Sequence, residues 1–214
     1  MKDKLQQMRE NYRKSSLERK DLDDDPMWQF GQWFEEAMSV KVPEMNAMTL
    51  ATADENGHPS LRTVLLKGIE FGGFVFYTNY ESRKGRQLDV NPNASLLFFW
   101  PSLERQIRIE GIVKKIPADA STEYFQSRPV GSQIGAWTSP QSEAIPDREF
   151  LELRLAEYYN KFRDRDPIPR PDHWGGYVLT PERLEFWQGR EDRLHDRFEY
   201  QRVKEEWKLF RLAP

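Results

Sequence analysis

The sequence predicts a mainly β fold with helices: a closed antiparallel barrel with flanking α-helices. Three observations carry this. Short β-prone runs recur with hairpin turns between them, helical spacing is confined to a few stretches, and strands do not alternate regularly with helices as a parallel α/β sheet requires. The 214 residues include 13% aromatics, seven of them Trp, which suits a compact β core or a flat ligand. There is no cysteine, which excludes disulfides, thiolate metal sites and a cysteine nucleophile.

Taken in order, residues 1–25 are polar and highly charged and end in Asp21-Leu22-Asp23-Asp24-Asp25. They are expected to form a flexible N-terminal arm and acidic linker ahead of a single domain over 26–214. From Pro26 to about Val40, Trp28, Phe30, Trp33, Phe34, Ala37 and Met38 recur at helical spacing, with Asp25 placed to cap and Pro26 in the first turn. Met48–Ala53 reads as a strand, Asp54-Glu55-Asn56-Gly57 as a turn and Ser60–Gly68 as the next strand. Phe71-Gly72-Gly73 turns into Phe74–Asn79. Ser82–Val90 reads as a short helix capped by Ser82. Ala94–Trp100 and Arg105–Ile116 are two more strands, the second alternating Ile107, Ile109 and Val113 against Arg108, Glu110 and Lys114. Ala118–Ser127 is a helix closed by Arg128-Pro129, and residues 129–147 read as loop. Pro146–Phe162 is a helix. Trp174–Leu179, Arg183–Trp187, Arg193–Phe198 and Trp207–Leu212 read as four closing strands.

The formal net charge is −3, with 32 basic and 35 acidic residues, which argues against a general nucleic-acid binder. Within the basic set, Arg outnumbers Lys by 20 to 12, and guanidinium forks suit phosphates and carboxylates. No run approaches the ~18 apolar residues of a membrane span, and the first twenty residues lack the apolar stretch of a secretory signal. A cytoplasmic setting is the expectation. No His/Asp/Glu cluster has metal spacing, and Walker A, Gly-x-Gly-x-x-Gly and Gly-x-Ser-x-Gly patterns are absent from the sequence.

Four constellations carry potential chemistry. Arg62-Thr63-Val64-Leu65-Leu66-Lys67 is a strand with a cation near each end. The odd separation places Arg62 and Lys67 on opposite faces, which suits two anions better than one unless a bulge intervenes. Two snorkelling surface cations give the same pattern. Glu81-Ser82-Arg83-Lys84 opens a predicted helix, where free N–H groups and two cations make a phosphate site or simply an ordinary capped end. Tyr124-x-x-x-Arg128-x-x-x-Ser132 can converge on one phosphate, or leave a packed Tyr beside a solvated Arg. On a strand, Arg193, His195 and Arg197 share a face and repel one another unless an anionic or electron-rich partner lies opposite.

Together with Phe76-Tyr77-Thr78-Asn79, Leu103-Glu104-Arg105-Gln106, Ser132-Gln133-Ile134-Gly135-Ala136-Trp137, Trp187-Gln188-Gly189 and the closing Arg211-Leu212-Ala213-Pro214, these segments resemble the pyridoxamine 5′-phosphate oxidase family from about Met8 to the last residue. The resemblance implies an FMN-binding split barrel acting as a homodimer with flavin at the subunit interface. It also implies oxidation of pyridoxamine or pyridoxine 5′-phosphate to pyridoxal 5′-phosphate, with O2 reduced to hydrogen peroxide. Carried over by position, FMN would use Arg62, Thr63, Val64, Leu65, Leu66, Lys67, Tyr77, Thr78, Arg83, Lys84, Gln106, Gln141, Ser142, Trp187 and Arg197. Lys67, Tyr124, Arg128 and Ser132 would hold the substrate phosphate. Arg193 and His195 would cover the substrate ring as the catalytic pair, and the arm with Arg9 and Tyr12 would fold over it. A flavin reductase with another substrate, or a non-catalytic carrier of pyridoxal phosphate or FMN, stands as the alternative.

Overall fold

The computed structural model describes Met8 and residues 11–214. Arg9 therefore lies outside the described residues. The described residues pack as two compact units, each assembled from separate segments: unit 1 from those up to 49, 95–110 and 181–214, unit 2 from residues 50–94 and 111–180.

The strands are β1 (Ala47–Ala53), β2 (Pro59–Leu65), β3 (Gly68–Glu70), β4 (Gly73–Asn79), β5 (Asn93–Trp100), β6 (Arg105–Lys115), β7 (Trp174–Gln188), β8 (Asp196–Val203) and β9 (Glu206–Leu212). They hydrogen-bond in the order β2-β1-β5-β6-β7-β4-β3, with β8 on β7 and β9 on β8. The pairs β3–β4, β4–β7, β7–β8 and β8–β9 are antiparallel. The helices are α1 (Pro26–Ser39), α2 (Arg83–Val90), α3 (Ala118–Ser127), α4 (Val130–Thr138) and α5 (Arg148–Phe162). The mainly β architecture with helices is as expected from the sequence.

In unit 1, α1 begins where expected: the Asp25 carboxylate accepts the Met27 N–H at 2.8 Å, and Pro26 fills the first position. Its inner face buries Phe30 and Trp33. Phe30 meets Phe98 edge-on at 5.1 Å, and Trp33 meets Phe186 at 5.1 Å. Each such ring removed from water contributes about 1.5–3 kcal/mol. The described part of the arm lies on this unit. Leu17 and Leu22 are buried, the Arg13 and Lys14 N–H groups both donate to Glu104 Oε2 at 2.9 Å, and Leu17 N–H donates to Asp196.

In unit 2, Phe125, Ile134, Phe162, Ile168 and Trp174 form one buried cluster that joins α3, α4 and α5. Val75, Ile116 and Val178 form another. Among the described residues, no helix is long and apolar enough to cross a membrane.

Three sequence expectations are corrected. Residues 129–147 are not all loop, because Val130–Thr138 is a helix held by Ile134 in the buried cluster. Trp174–Leu179 and Arg183–Trp187 are one continuous strand, Trp174–Gln188. Pro181 reads as a break, yet it falls between the stretch that pairs with β4 and the stretch that pairs with β8, where its missing N–H costs neither ladder a bond. Finally, no strand runs from Arg193 to Phe198. A 3-10 turn covers Glu191–Arg193, and β8 starts only at Asp196. Asp192 and Arg193 are left-handed, with φ of 55° and 62°. Arg193, His195 and Arg197 are therefore not aligned on one strand face.

Candidate functional site

A cavity of about 830 Å3 opens in unit 2. That size lies within the roughly 300–1,000 Å3 typical of ligand and cofactor pockets. Arg62, Thr63, Val64 and Leu65 from β2, Lys67, and Tyr77 and Thr78 from β4 line it, with Lys84, Tyr124, Arg128, Ser132, Gln141 and Ser142. Among the described lining residues there are four cations and no carboxylate. Arg62 and Lys67 both face this one cavity, which corrects the expectation that their parity separates them. The strand ends at Leu65, so the alternation does not extend to Lys67, whose N–H bonds the Val75 carbonyl instead.

Arg62 is aimed by neutral acceptors. Nη1 donates to the Leu50 carbonyl at 3.2 Å and to Thr52 Oγ1 at 2.5 Å, and Nη2 donates to Ser60 Oγ at 2.6 Å. Gln87 Oε1, on the buried face of α2, ties the same hydroxyls together at 2.6 and 2.7 Å. Burial, and next the nearby Arg83 charge, push the Arg62 guanidinium below its usual range. Lys84 is similar: Nζ donates to Thr78 Oγ1 at 3.0 Å, Gln141 Oε1 at 3.1 Å and Ser82 Oγ at 3.3 Å. Burial, then the Arg62 charge, lower its pKa to about 8. α2 starts where the sequence placed it, with Ser82 Oγ accepting the Gly85 N–H.

The other end of the cavity is aromatic. Tyr77 stacks on Tyr124 at 3.8 Å, and Arg128 lies over the Trp174 ring at 4.5 Å. Burial, ahead of nearby acidic groups, pushes the Tyr77 phenol up to about 12, so it stays a neutral donor. Arg128 is likewise lowered by burial, and its Nη1 is buried without a hydrogen-bond partner among the described residues. A half-buried guanidinium with an unused donor, in a cavity whose described walls hold no carboxylate, is suited to an anion.

Among the expected flavin residues of this unit, Leu66 is buried and Arg83 exposed, and neither lines the cavity. Sequence reasoning missed Thr52, Ser60 and Gln87 as supports of Arg62. A polar Gln on the inward face of a short helix is the one signal it offered.

In unit 1, Trp187, His195 and Tyr12 gather. His195 lies 4.5 Å from the Trp187 ring centre and 5.9 Å from Tyr12, and Tyr12 meets Trp187 edge-on at 5.8 Å. Gly189 is required here, because an added Cβ would fall 2.7 Å from Tyr12 Cγ. The Arg190 N–H donates to His195 Nδ1 at 3.1 Å, so the neutral ring carries its proton on Nε2. Burial, then the charges of Arg193 and Arg197, hold His195 below its ordinary pKa. Arg193 is exposed, and Gln106 is half-buried. Arg197, across from Trp187 in the β7–β8 register, binds Glu185 through Nε at 2.7 Å and Nη2 at 3.2 Å.

A family model described as pyridoxamine 5′-phosphate oxidase matches residues 34–162, and one described as the pyridoxine 5′-phosphate oxidase C-terminal dimerisation region matches residues 174–214. A Leptospira interrogans protein named pyridoxine/pyridoxamine 5′-phosphate oxidase is 54% identical over 100% of both chains. A Salinibacter ruber protein of the same name is 54% identical over 99% of each. Among solved structures, PhzG from Burkholderia lata, in complex with tetrahydrophenazine-1-carboxylic acid, superimposes with a TM-score of 0.87 at 32% identity, covering 94% of this chain and 98% of that one. An FMN-binding, pyridoxamine 5′-phosphate oxidase-related protein from Nostoc punctiforme shares the fold, with a TM-score of 0.70 at 20% identity over 87% and 97%. With matches of this extent at both ends, the chain belongs to the pyridoxamine 5′-phosphate oxidase family, a family of oxidoreductases.

Proposed function

We propose that this protein is an FMN-dependent oxidase that converts pyridoxamine or pyridoxine 5′-phosphate to pyridoxal 5′-phosphate. The observation that carries the reading is the cavity with four described cations and no described carboxylate, ended by an aromatic stack and the unpartnered Arg128 Nη1. Its donors fit two phosphate groups carried by flat rings. The names of the full-length relatives support the substrate.

In this reading Arg62, Arg83 and Lys84 hold the flavin phosphate. Thr63, Val64, Leu65, Leu66, Tyr77, Thr78, Gln106, Gln141, Ser142, Trp187 and Arg197 complete the FMN set. Lys67, Tyr124, Arg128 and Ser132 hold the substrate phosphate. Bound there, FMN would supply two-electron oxidising power, with O2 as the final acceptor and hydrogen peroxide as its product. The chain supplies the rest: charge neutralisation, a fixed ring orientation and exclusion of water. His195 is neutral near pH 7 and offers Nε2–H as a donor, while Arg193 brings a positive charge beside it. Tyr12 and the preceding arm, Arg9 included, cover the bound ring. A homodimer follows from the resemblance and is supported by the match to a dimerisation region; flavin at the subunit interface rests on the resemblance alone.

The test is peroxide release by the purified yellow protein on addition of pyridoxamine 5′-phosphate. Flavin-loaded protein that forms no peroxide with either phosphorylated substrate overturns the reading. The PhzG likeness makes the phosphate the discriminating group. Arg128→Ala is expected to weaken phosphorylated substrate by about 1.5–3 kcal/mol, roughly ten- to a hundredfold in KM, with flavin retained. Equal KM for phosphorylated and dephosphorylated substrate in the unaltered protein would remove the anchor.

A further inference from the structure

We propose that a second cavity, behind Arg128, binds a small anion that also carries a hydroxyl group, such as a phosphate monoester of a polyol. This cavity, of about 690 Å3, lies in unit 2 among the end of α3, α4 and α5. Arg128 lines both cavities, whereas Lys67 and Ser132 line only the first and Gln133, Arg163 and Arg165 only the second.

One buried atom defines part of what the ligand must offer. Gln133 is 5% exposed, and its Oε1 is an acceptor with no partner among the described residues. Its amide cannot turn over to cure this, because Nε2 already donates to the carbonyls of Arg128 at 2.8 Å and Gln126 at 3.3 Å. Buried polar groups are ordinarily satisfied, so an unmet acceptor in a cavity lined by three arginines calls for a molecule presenting a hydroxyl and a negative charge. A hydroxyl serves Gln133, and an anionic oxygen serves the arginines of this lining. Exposed Arg163 and Arg165 add positive charge, against one acid, Asp166, in the lining, and Phe162 supplies an apolar wall. That balance selects an anion over a cation.

Gln133 also holds the corner between α3 and α4 from which Arg128 projects. Occupancy of the second cavity therefore acts on the guanidinium that the oxidase reading assigns to substrate phosphate, and the coupling, though not the binding, rests on that reading.

The experiment is titration calorimetry of the FMN-loaded full chain with glycerol 3-phosphate and, separately, with glycerate, which keeps the hydroxyls and exchanges phosphate for carboxylate. Saturable binding of either supports the site, and the stronger one identifies the anion. Arg163→Ala/Arg165→Ala, both exposed and outside the first cavity, should weaken binding at least tenfold, while Lys67→Ala should leave it within twofold. No binding by either probe overturns the proposal. So does binding that is lost in Lys67→Ala and intact in the arginine variant, since the probe then sits in the first cavity. These outcomes need no turnover and stand apart from the oxidase assay. In that assay, saturating probe should raise KM for pyridoxamine 5′-phosphate severalfold in the unaltered protein and not in the double variant; an unchanged KM overturns the coupling.

Discussion

Lys84 shows how far surroundings alter one side chain. Its ammonium donates to neutral acceptors, and burial, then the Arg62 charge, bring its pKa to about 8. A bound phosphate favours the charged form and raises that value. Binding at pH 8.5–9 should therefore take up protons, and affinity should fall as pH rises above about 8, by at most tenfold per unit. Calorimetry with FMN in buffers of different ionisation heat reads this directly; proton release would contradict it. His195 obeys the same rule with other neighbours. Arg193→Ala removes one of the charges that depress it, so its pKa should move up toward the ordinary value, as read by NMR titration. The same substitution should harm substrate affinity and turnover more than flavin retention. The residue types were legible in the sequence, because cations at strand and helix ends stand out. How they are held was not, since it depends on Thr52, Ser60 and Gln87 closing around Arg62 from other parts of the chain.

At the scale of elements, local signals succeeded where they were chemically explicit. Asp25 and Ser82 cap the helices they were expected to cap, because a short polar side chain before a helical run satisfies otherwise orphaned N–H groups. They failed at α4 and β7, where tertiary packing overrides a Pro/Gly-rich reading. The turn into α2 has a further requirement. A Cβ on Gly85 would stand 1.9 Å from the Tyr80 carbonyl oxygen, so nothing larger fits without moving the backbone. Gly85→Ala should cost about 1–3 kcal/mol, as overpacking does. It should also displace Lys84 and weaken FMN binding. Urea denaturation and flavin titration check the two effects, and an unchanged denaturation midpoint would contradict the first.

On the scale of the molecule, long-range polar contacts assemble unit 1 from segments far apart in the chain. Asp196, 5% exposed, accepts from Leu17 N–H at 3.1 Å, Arg190 Nη1 at 2.8 Å and Arg211 Nη2 at 2.6 Å. One carboxylate thus ties the arm, the loop after β7 and the last strand. Asp196→Ala leaves a buried N–H without its acceptor and frees two arginines to solvent. It should cost about 1–3 kcal/mol. Hydrogen exchange at Leu17 should rise by more than the global change in stability predicts. Equal protection at Leu17 in both proteins would show that the arm is held by its apolar contacts alone.

The sequence by itself determined the β-rich class, most element boundaries and the family, because hydrophobic period, capping chemistry and ordered motifs are local properties of the chain. Tertiary structure alone decided which cations share a cavity, that Arg62 and Lys67 face the same one, and that Arg193, His195 and Arg197 do not lie along one strand. Burial and partnering are properties of surroundings: a guanidinium has the same formula in solvent, in an ion pair with Glu185 or over Trp174, and only the packed chain distinguishes them.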